Sequence, residues 1–254
     1  MKPINSQGVP LSRATLANWI IYCAENYLRH VYDYFHRQLR MRKYLMADET
    51  RVQVLNEPGR NPETDSWMWL FRSGEDGLPP ILLYHYTETR AKFHAASFLQ
   101  GFSGYLETDG YQGYNNLPDI KRCSCWVHVR RYFTDAIPKG KEYDYSLPAE
   151  QRKQFRLEKE KPILDAFWNW LEQQHPNKGT RLAKVVNYAQ NRKDTLMTYL
   201  EDGHCSLSNN LSENAIRPFT IGRKNWLFSA SPKGATASAI VYTMVEMAKA
   251  NCQN

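Results

Sequence analysis

Asp48 lies in the middle of KYLMADETRVQVL (43–55), an alternating run rich in Val, Leu, Met and Tyr that reads as a β-strand. A carboxylate buried in such a strand is costly unless a cation holds it. Asp109, in GYLETDGYQGY (104–114), falls at the C-terminal end of a second strand signal, just before Gly110, where ligands of open α/β sheets collect. If the two strands are neighbours, both carboxylates point at one spot, and one must keep a proton unless a cation intervenes. Hard oxygen ligands completed by waters and phosphates describe a Mg²⁺ site, with Mn²⁺ as its substitute. Each Asp could equally cap a turn or pair with a nearby arginine. A two-metal site needs a third acid, and Glu213 in SNNLSENAIRP is the candidate. On a helix, Asn210, Glu213 and Arg217 share one face and would offer an amide, a metal-binding acid and a phosphate-binding cation. The same residues also resemble a capping box at 210–213, with Arg217-Pro218 marking the helix end.

Cys123, Cys125 and His128 invite comparison with a zinc site. Zinc usually takes four ligands, and no second Cys/His pair with regular spacing is present, so Cys125-x-x-His128 reads as structural. Arg130 and Arg131 beside it are basic helix surface, or phosphate contacts if the site binds DNA. Trp226 could stack on a base but reads first as a core residue.

The elements that must position these groups follow from periodicity and turn residues. Residues 11–45 are predicted helical, with Ser12 as N-cap and Leu16, Trp19, Ile20, Cys23, Tyr27, Val31, Tyr34 and Leu39 at helical spacing. This stretch could be half of a helix-turn-helix or a packing helix with a basic face. Strand signals follow at 44–55, 66–72 and 80–87, separated by Pro- and Gly-bearing turns. A helix is expected over 90–101, ended by Gly101, then a strand at 104 running into a Gly-rich turn. A further strand is expected over 122–126, leading into a basic helix, VHVRRYFTDAI. From 139 to 204 the chain is charged, Gln-rich and Trp-rich with no strand pattern, which reads as an all-helical insertion. A closing helix is expected from about 235, with Ala237, Ile240, Val241, Met244, Val245 and Ala248 on one face. The order suits an α/β fold, a mixed sheet flanked by helices. The expected divisions are a helical segment 1–43, a core in two parts, 44–138 and 205–254, and the insertion 139–204.

Composition bounds the partners. At 254 residues with 42% apolar content, the chain can bury a sizeable core and is not a disordered tail. A formal charge of +7 favours a polyanionic partner, nucleic acid first. An odd count of five cysteines with no signal peptide ahead suggests a reducing cytoplasm. No apolar run approaches the ~20 residues of a membrane helix.

ADET (47–50), TDGYQGYN (108–115), CWVHVRRYF (125–133) and NNLSENAIRPFTIGRKNWLFS (209–229) together closely resemble the bacterial insertion-sequence-66 family of transposases, in the right order over roughly 45–250. The resemblance implies an RNase H-like fold with a helical insertion before the last acid, and a D-D-E triad at Asp48, Asp109 and Glu213. It implies Mg²⁺-dependent DNA cleavage and strand transfer on transposon ends and target DNA, in the cytoplasm and on the nucleoid, with a homo-oligomer in a synaptic complex. Arg217, Arg223 and Lys224 become candidates for DNA backbone contacts, and Cys125 and His128 match a Cys-x-x-His element that is structural or site-supporting. Family members usually carry a longer DNA-recognition region and coiled coil ahead of the catalytic part, so 1–45 reads as the stub of a truncated form. The 139–165 stretch also looks shortened, and Asn214 stands where an Arg often follows the Glu. The rival readings are a structure-selective nuclease on the same fold and a non-catalytic DNA-binding remnant.

Overall fold

The alternating run at 43–55 forms β1 (Tyr44–Val54), the axis of the sheet. The structure is a computed structural model that describes residues 11–127 and 147–252. β2 (Asp65–Ser73) returns antiparallel to β1, from Gln53↔Asp65 to Leu45↔Ser73, and β3 (Leu82–Thr87) pairs antiparallel with β2. α3 (Lys92–Phe98) then carries the chain across the sheet. Its exit turns at Gly101, where φ of 85° suits a residue without a Cβ. β4 (Gly104–Thr108) enters parallel to β1 on the side away from β2, and β5 (Ile120–Ser124) lies parallel beyond it. Among the described residues the strand order is β3-β2-β1-β4-β5, with the short β6 (Phe228–Ser229) pairing with the far end of β1. This is the mixed, helix-flanked sheet expected of an RNase H-like fold. β5 begins and ends two residues earlier than its sequence signal, and all but the first residue of the basic helix expected after it lies outside the described residues.

At the start of β1 the two faces lead to different cores, as a period of two allows. Leu45 and Ala47, with Leu106 of β4, join the main core. Tyr44 and Met46, with Cys123 of β5, meet Tyr199, Leu200 and Cys205 from the stretch before Glu213. The regular elements of that stretch are all helical among the described residues: α4 (Ala149–Phe155), a π-helical turn, α5 (Lys161–Glu172), α6 (Arg181–Gln190) and α7 (Lys193–Met197), with a 3-10 turn after it. Arg156 is fully buried there and donates to the carbonyls of Tyr199 at 2.9 Å, Asp202 at 3.0 Å and Cys205 at 2.9 Å. It therefore ties the helices to the loop that leads to α8 (Asn210–Trp226).

Two expectations about helices need correction. The N-terminal helix does begin at Ser12, whose hydroxyl accepts from Thr15 N–H at 3.0 Å. However, across α1 (Arg13–Cys23), a short π-helical stretch (Ala24–Leu28) and α2 (Arg29–Arg40), the face turned to the core is Ile21, Ala24, Leu28, Tyr32, Phe35 and Leu39, at regular helical spacing throughout. Ala24, Tyr32 and Leu39 are buried, while Trp19, Ile20, Tyr27, Val31 and Tyr34 of the expected apolar face are exposed. Secondly, α8 does not stop at Arg217-Pro218 but runs through Pro218 to Trp226. Proline leaves the carbonyl four residues back, that of Asn214, without its helical partner. Asn214 is exposed, so water can take that place. In α9 (Pro232–Asn251) the buried residues include Ala237 and Ile240 as expected, with Ala239, Thr243 and Met247, while Val245 is exposed.

Candidate active site

The parallel register brings the first two acids level. Met46 pairs with Glu107, so two residues further along each chain Asp48 stands beside Asp109, just past the end of β4 and on the same side of the sheet. α8 approaches that side through its buried residues. Ala215, Ile216 and Phe219 lie in one core with Val52 and Val54 of β1. Phe219 is wedged against Tyr242 and Trp226, with ring centroids 5.2 and 5.3 Å away. Glu213 sits in the first turn of this helix.

The three acids share one electrostatic field. Burial raises the Asp48 carboxyl to about 7, and the negative charges of Glu49, Asp109 and Glu213 push it the same way, against a hydrogen bond from Glu49 N–H at 2.8 Å. Asp109 Oδ1 accepts from Tyr111 N–H at 2.8 Å, which fixes the turn after β4. Hard oxygen donors from three elements are a donor set that suits Mg²⁺. Among the described residues, no three His, Cys, Asp or Glu side chains are drawn together closely enough to hold an ion as they stand. The donor types fit the group, and bringing the three carboxylates onto one ion requires side-chain adjustment.

Glu49 answers the cost of acids in a strand differently from its neighbour. It points to the opposite face, where Arg90 pairs with it (Nε to Oε1, 2.8 Å) and Tyr114 donates to Oε2 at 2.5 Å. Arg90 is sandwiched by Tyr111 and Trp67, 3.6 and 4.6 Å from the ring centroids, and its carbonyl accepts the Tyr111 hydroxyl. A chain of contacts thus runs Glu49–Arg90–Tyr111–Asp109. Odd-even alternation along β1 is the signal that gives Asp48 and Glu49 different partners.

The supporting candidates are placed unequally. Cys125 is buried and its Sγ accepts from Asn209 N–H at 3.3 Å, joining the end of β5 to the start of the Glu213 helix. His128, Arg130 and Arg131 lie outside the described residues. Asn210 is exposed at the first position of α8. The N-cap is Asn209, which makes no side-chain cap, so the capping box is not formed. Asn209 itself is fully buried, and neither amide atom finds a partner among the described residues. Arg217 and Lys224 are exposed. Arg223 is engaged by β1, donating to the Arg51 carbonyl and, at 3.3 Å, to the Thr50 hydroxyl. Trp226 packs on Phe219 as a core residue. Cys123 is buried with Cys205 beside it, and that contact, followed by burial, raises its thiol well above the ordinary value. Glu107, fully buried two residues before Asp109, is pushed to about 8 by burial, against hydrogen bonds from the Tyr44 hydroxyl and Ser206 N–H and the charge of Arg156.

The family model described as "Transposase IS66 family" matches residues 2–237. Among curated proteins, the chain is similar to three uncharacterized proteins of Sinorhizobium fredii. It is 29% identical to y4qI and 26% identical to y4hP, in each case over 96% of this chain and 51% of the relative. It is also 26% identical to y4jD over 95% of this chain and 53% of the relative. The chain therefore spans about half the length of the curated relatives it matches. No solved structure gives a significant match. No helix among the described residues is long and apolar enough to cross a membrane.

Proposed function

The chain belongs to the IS66 family of transposases, and from that premise we propose that it is the catalytic part of a DNA transposase that cleaves phosphodiester bonds and joins the freed 3′ ends to target DNA. The observation that carries the reading is the shared field of Asp48, Asp109 and Glu213, three carboxylates delivered by β1, the end of β4 and the first turn of α8. These three residues would hold Mg²⁺, or Mn²⁺ in its place. When bound, the metal supplies Lewis-acid stabilisation to the attacking and leaving oxygens. The protein's own part is positional. Tyr111 N–H and the Glu49–Arg90 pair set the Asp109 turn, Cys125 ties down the start of α8, and Phe219 seats that helix on β1. The exposed cations Arg217 and Lys224 would contact the DNA backbone, which positions a strand without reading its bases. Arg130, Arg131 and Arg223 are assigned the same role, the last by releasing its hold on β1. In this reading 44–138 and 205–254 make the catalytic core, 139–204 is an insertion, and 1–43 is a preceding helical segment. Transposon ends would be processed in a homo-oligomeric synaptic complex on cytoplasmic, nucleoid DNA.

The test is a Mg²⁺-dependent nicking and strand-transfer assay with end duplexes that carry 3′-hydroxyls. Asp48→Asn, Asp109→Asn and Glu213→Gln should each abolish both reactions while DNA binding persists. Because the three act as one unit, a double variant should be little worse than each single one. Nicking without strand transfer would make the protein a nuclease, and wild-type cleavage by any one variant would remove that residue from the triad.

A further inference from the structure

A polar cavity of about 340 Å³ opens beside Asp109, between the turn after β4 and the α6–α7 junction. One wall is Gly110, Asn115 and Arg122, and the other is Asn191, Arg192 and Thr195. Two guanidinium groups therefore line one small space. Arg122 donates to the Thr108 hydroxyl at 2.9 Å, to the Asn115 side chain and to the Asp109 carbonyl. Arg192 lies over the Tyr188 ring, 3.9 Å from its centroid, and donates to the Gly110 carbonyl at 2.6 Å and the Tyr188 carbonyl at 3.3 Å. Its Nε–H is buried and finds no acceptor among the described residues.

Every contact that fixes these two cations is to a neutral oxygen or a ring. Neither arginine forms an ion pair with a carboxylate among the described residues. Both guanidinium groups donate into the same turn, Arg122 to the Asp109 carbonyl and Arg192 to the Gly110 carbonyl. Two like charges placed together at a half-buried site are unfavourable unless an anion joins them. The walls are also fixed in advance. Thr195 bonds Ser124 at 2.7 Å and Trp126 Nε1 bonds the Leu196 carbonyl at 2.8 Å, so α7 is pinned to β5. A Cβ on Gly110 would lie 2.6 Å from the Tyr188 hydroxyl and 2.9 Å from Arg192 Nη2, so this approach needs a residue without a side chain. Planar, pre-positioned guanidinium pairs match the oxygens of a phosphate.

We propose that the cavity between Arg122 and Arg192 binds a backbone phosphate of the DNA strand presented to Asp109. The assignment rests on the DNA-processing reading above and adds to it a contribution from the helical stretch before Glu213, whose Arg192 completes the site from 82 residues beyond Gly110. The neighbouring carboxylates would grip the reacting phosphodiester through metal, and the arginine pair would fix a flanking phosphate without metal.

The test is therefore run in EDTA, where the carboxylate triad plays no part. First, inorganic phosphate is titrated into the wild-type chain while the Nε–H resonances of Arg122 and Arg192 are followed by NMR, with saturable shifts expected. Secondly, affinity for a fluorescent duplex is measured across a salt series for wild type, Arg192→Gln and Arg13→Gln, the last an equal charge loss on the exposed surface of α1. Loss of one phosphate contact should reduce the slope of log K against log[salt] by about 0.9 in R192Q, with a smaller change in R13Q. Arg192→Lys, which keeps the charge, should retain most of the slope and guards against a misfolded R192Q. Unmoved resonances, or equal slopes for R192Q and R13Q, would overturn the proposal. Phosphate binding with equal slopes would assign the cavity to a free anion and likewise overturn the DNA assignment. Failure here leaves the cleavage test untouched, and failure of cleavage leaves this one standing.

Discussion

The Glu49–Arg90 pair should be strongly asymmetric, because its partners differ in burial. The Glu49 side chain is 1% exposed and that of Arg90 is 32% exposed. Arg90→Met keeps the aliphatic bulk between Tyr111 and Trp67 but leaves a buried carboxylate with the Tyr114 hydroxyl as its remaining side-chain donor among the contacts described above. Breaking a buried pair in that sense costs about 3–5 kcal/mol. Glu49→Gln removes the other charge. Arg90 then turns its exposed part to water and keeps its two aromatic faces, so the loss is that of a charge-assisted hydrogen bond, about 1.5 kcal/mol. The expected difference is about 2 kcal/mol. With a urea dependence of about 1–3 kcal/mol per M, the R90M midpoint should fall roughly 1 M below that of E49Q. Urea unfolding followed by tryptophan fluorescence at neutral pH measures it. An E49Q midpoint equal to or below that of R90M would refute the burial argument. Because Arg90 packs on Tyr111, whose N–H holds Asp109, R90M should also lose cleavage under conditions where it remains folded.

His85 offers a pH test. Burial, followed by the positive charges of His36, His94 and Arg29, lowers it from 6.5 to about 4, so the unfolded chain binds more protons in that window. Stability is present above pH 6.5 and is lost as pH falls toward 4, by at most about 3 kcal/mol. His85→Gln should flatten that acid limb in urea unfolding from pH 4 to 8, and an unchanged limb would remove His85 from the account. Phe219→Ala, which empties a fully buried ring site between α8 and its neighbours, should cost about 3–5 kcal/mol and reduce cleavage by unseating the Glu213 helix. Stability within 1 kcal/mol of wild type would show that α8 is held by other contacts.

The strands were legible because local chemistry dictates them. Alternation gives β1, and the Pro-Gly and Asn-Pro turns separate β1 from β2. Which strands become neighbours is not local. The pairing of β1 with β4, which sets Asp48 beside Asp109, depends on a crossover through α3 that no spacing between the two acids reveals. Local signals also misled where tertiary packing overrode them. Pro218 reads as a stop, yet α8 continues because Phe219 beyond it is buried between Tyr84, Tyr242 and Trp226. The N-terminal helix carries two apolar stripes at helical spacing, and packing turns Ile21, Ala24, Leu28, Tyr32, Phe35 and Leu39 to the core while Trp19, Ile20, Val31 and Tyr34 stay exposed on the other. Arg192 is the clearest omission. Within a charged helical stretch an arginine reads as solvated surface, and only the fold carries it to the Gly110 carbonyl.

Whether Asp48, Asp109 and Glu213 share one divalent-metal site is decided by a crystal structure of the wild-type chain grown with Mn²⁺, with the ion located by its anomalous signal. Mn²⁺ is expected between the Asp48 and Asp109 carboxylates with Glu213 completing its surroundings, and no such peak in Asp48→Asn crystals. Mn²⁺ bound at full occupancy elsewhere, with the three carboxylates still apart, would contradict the shared site.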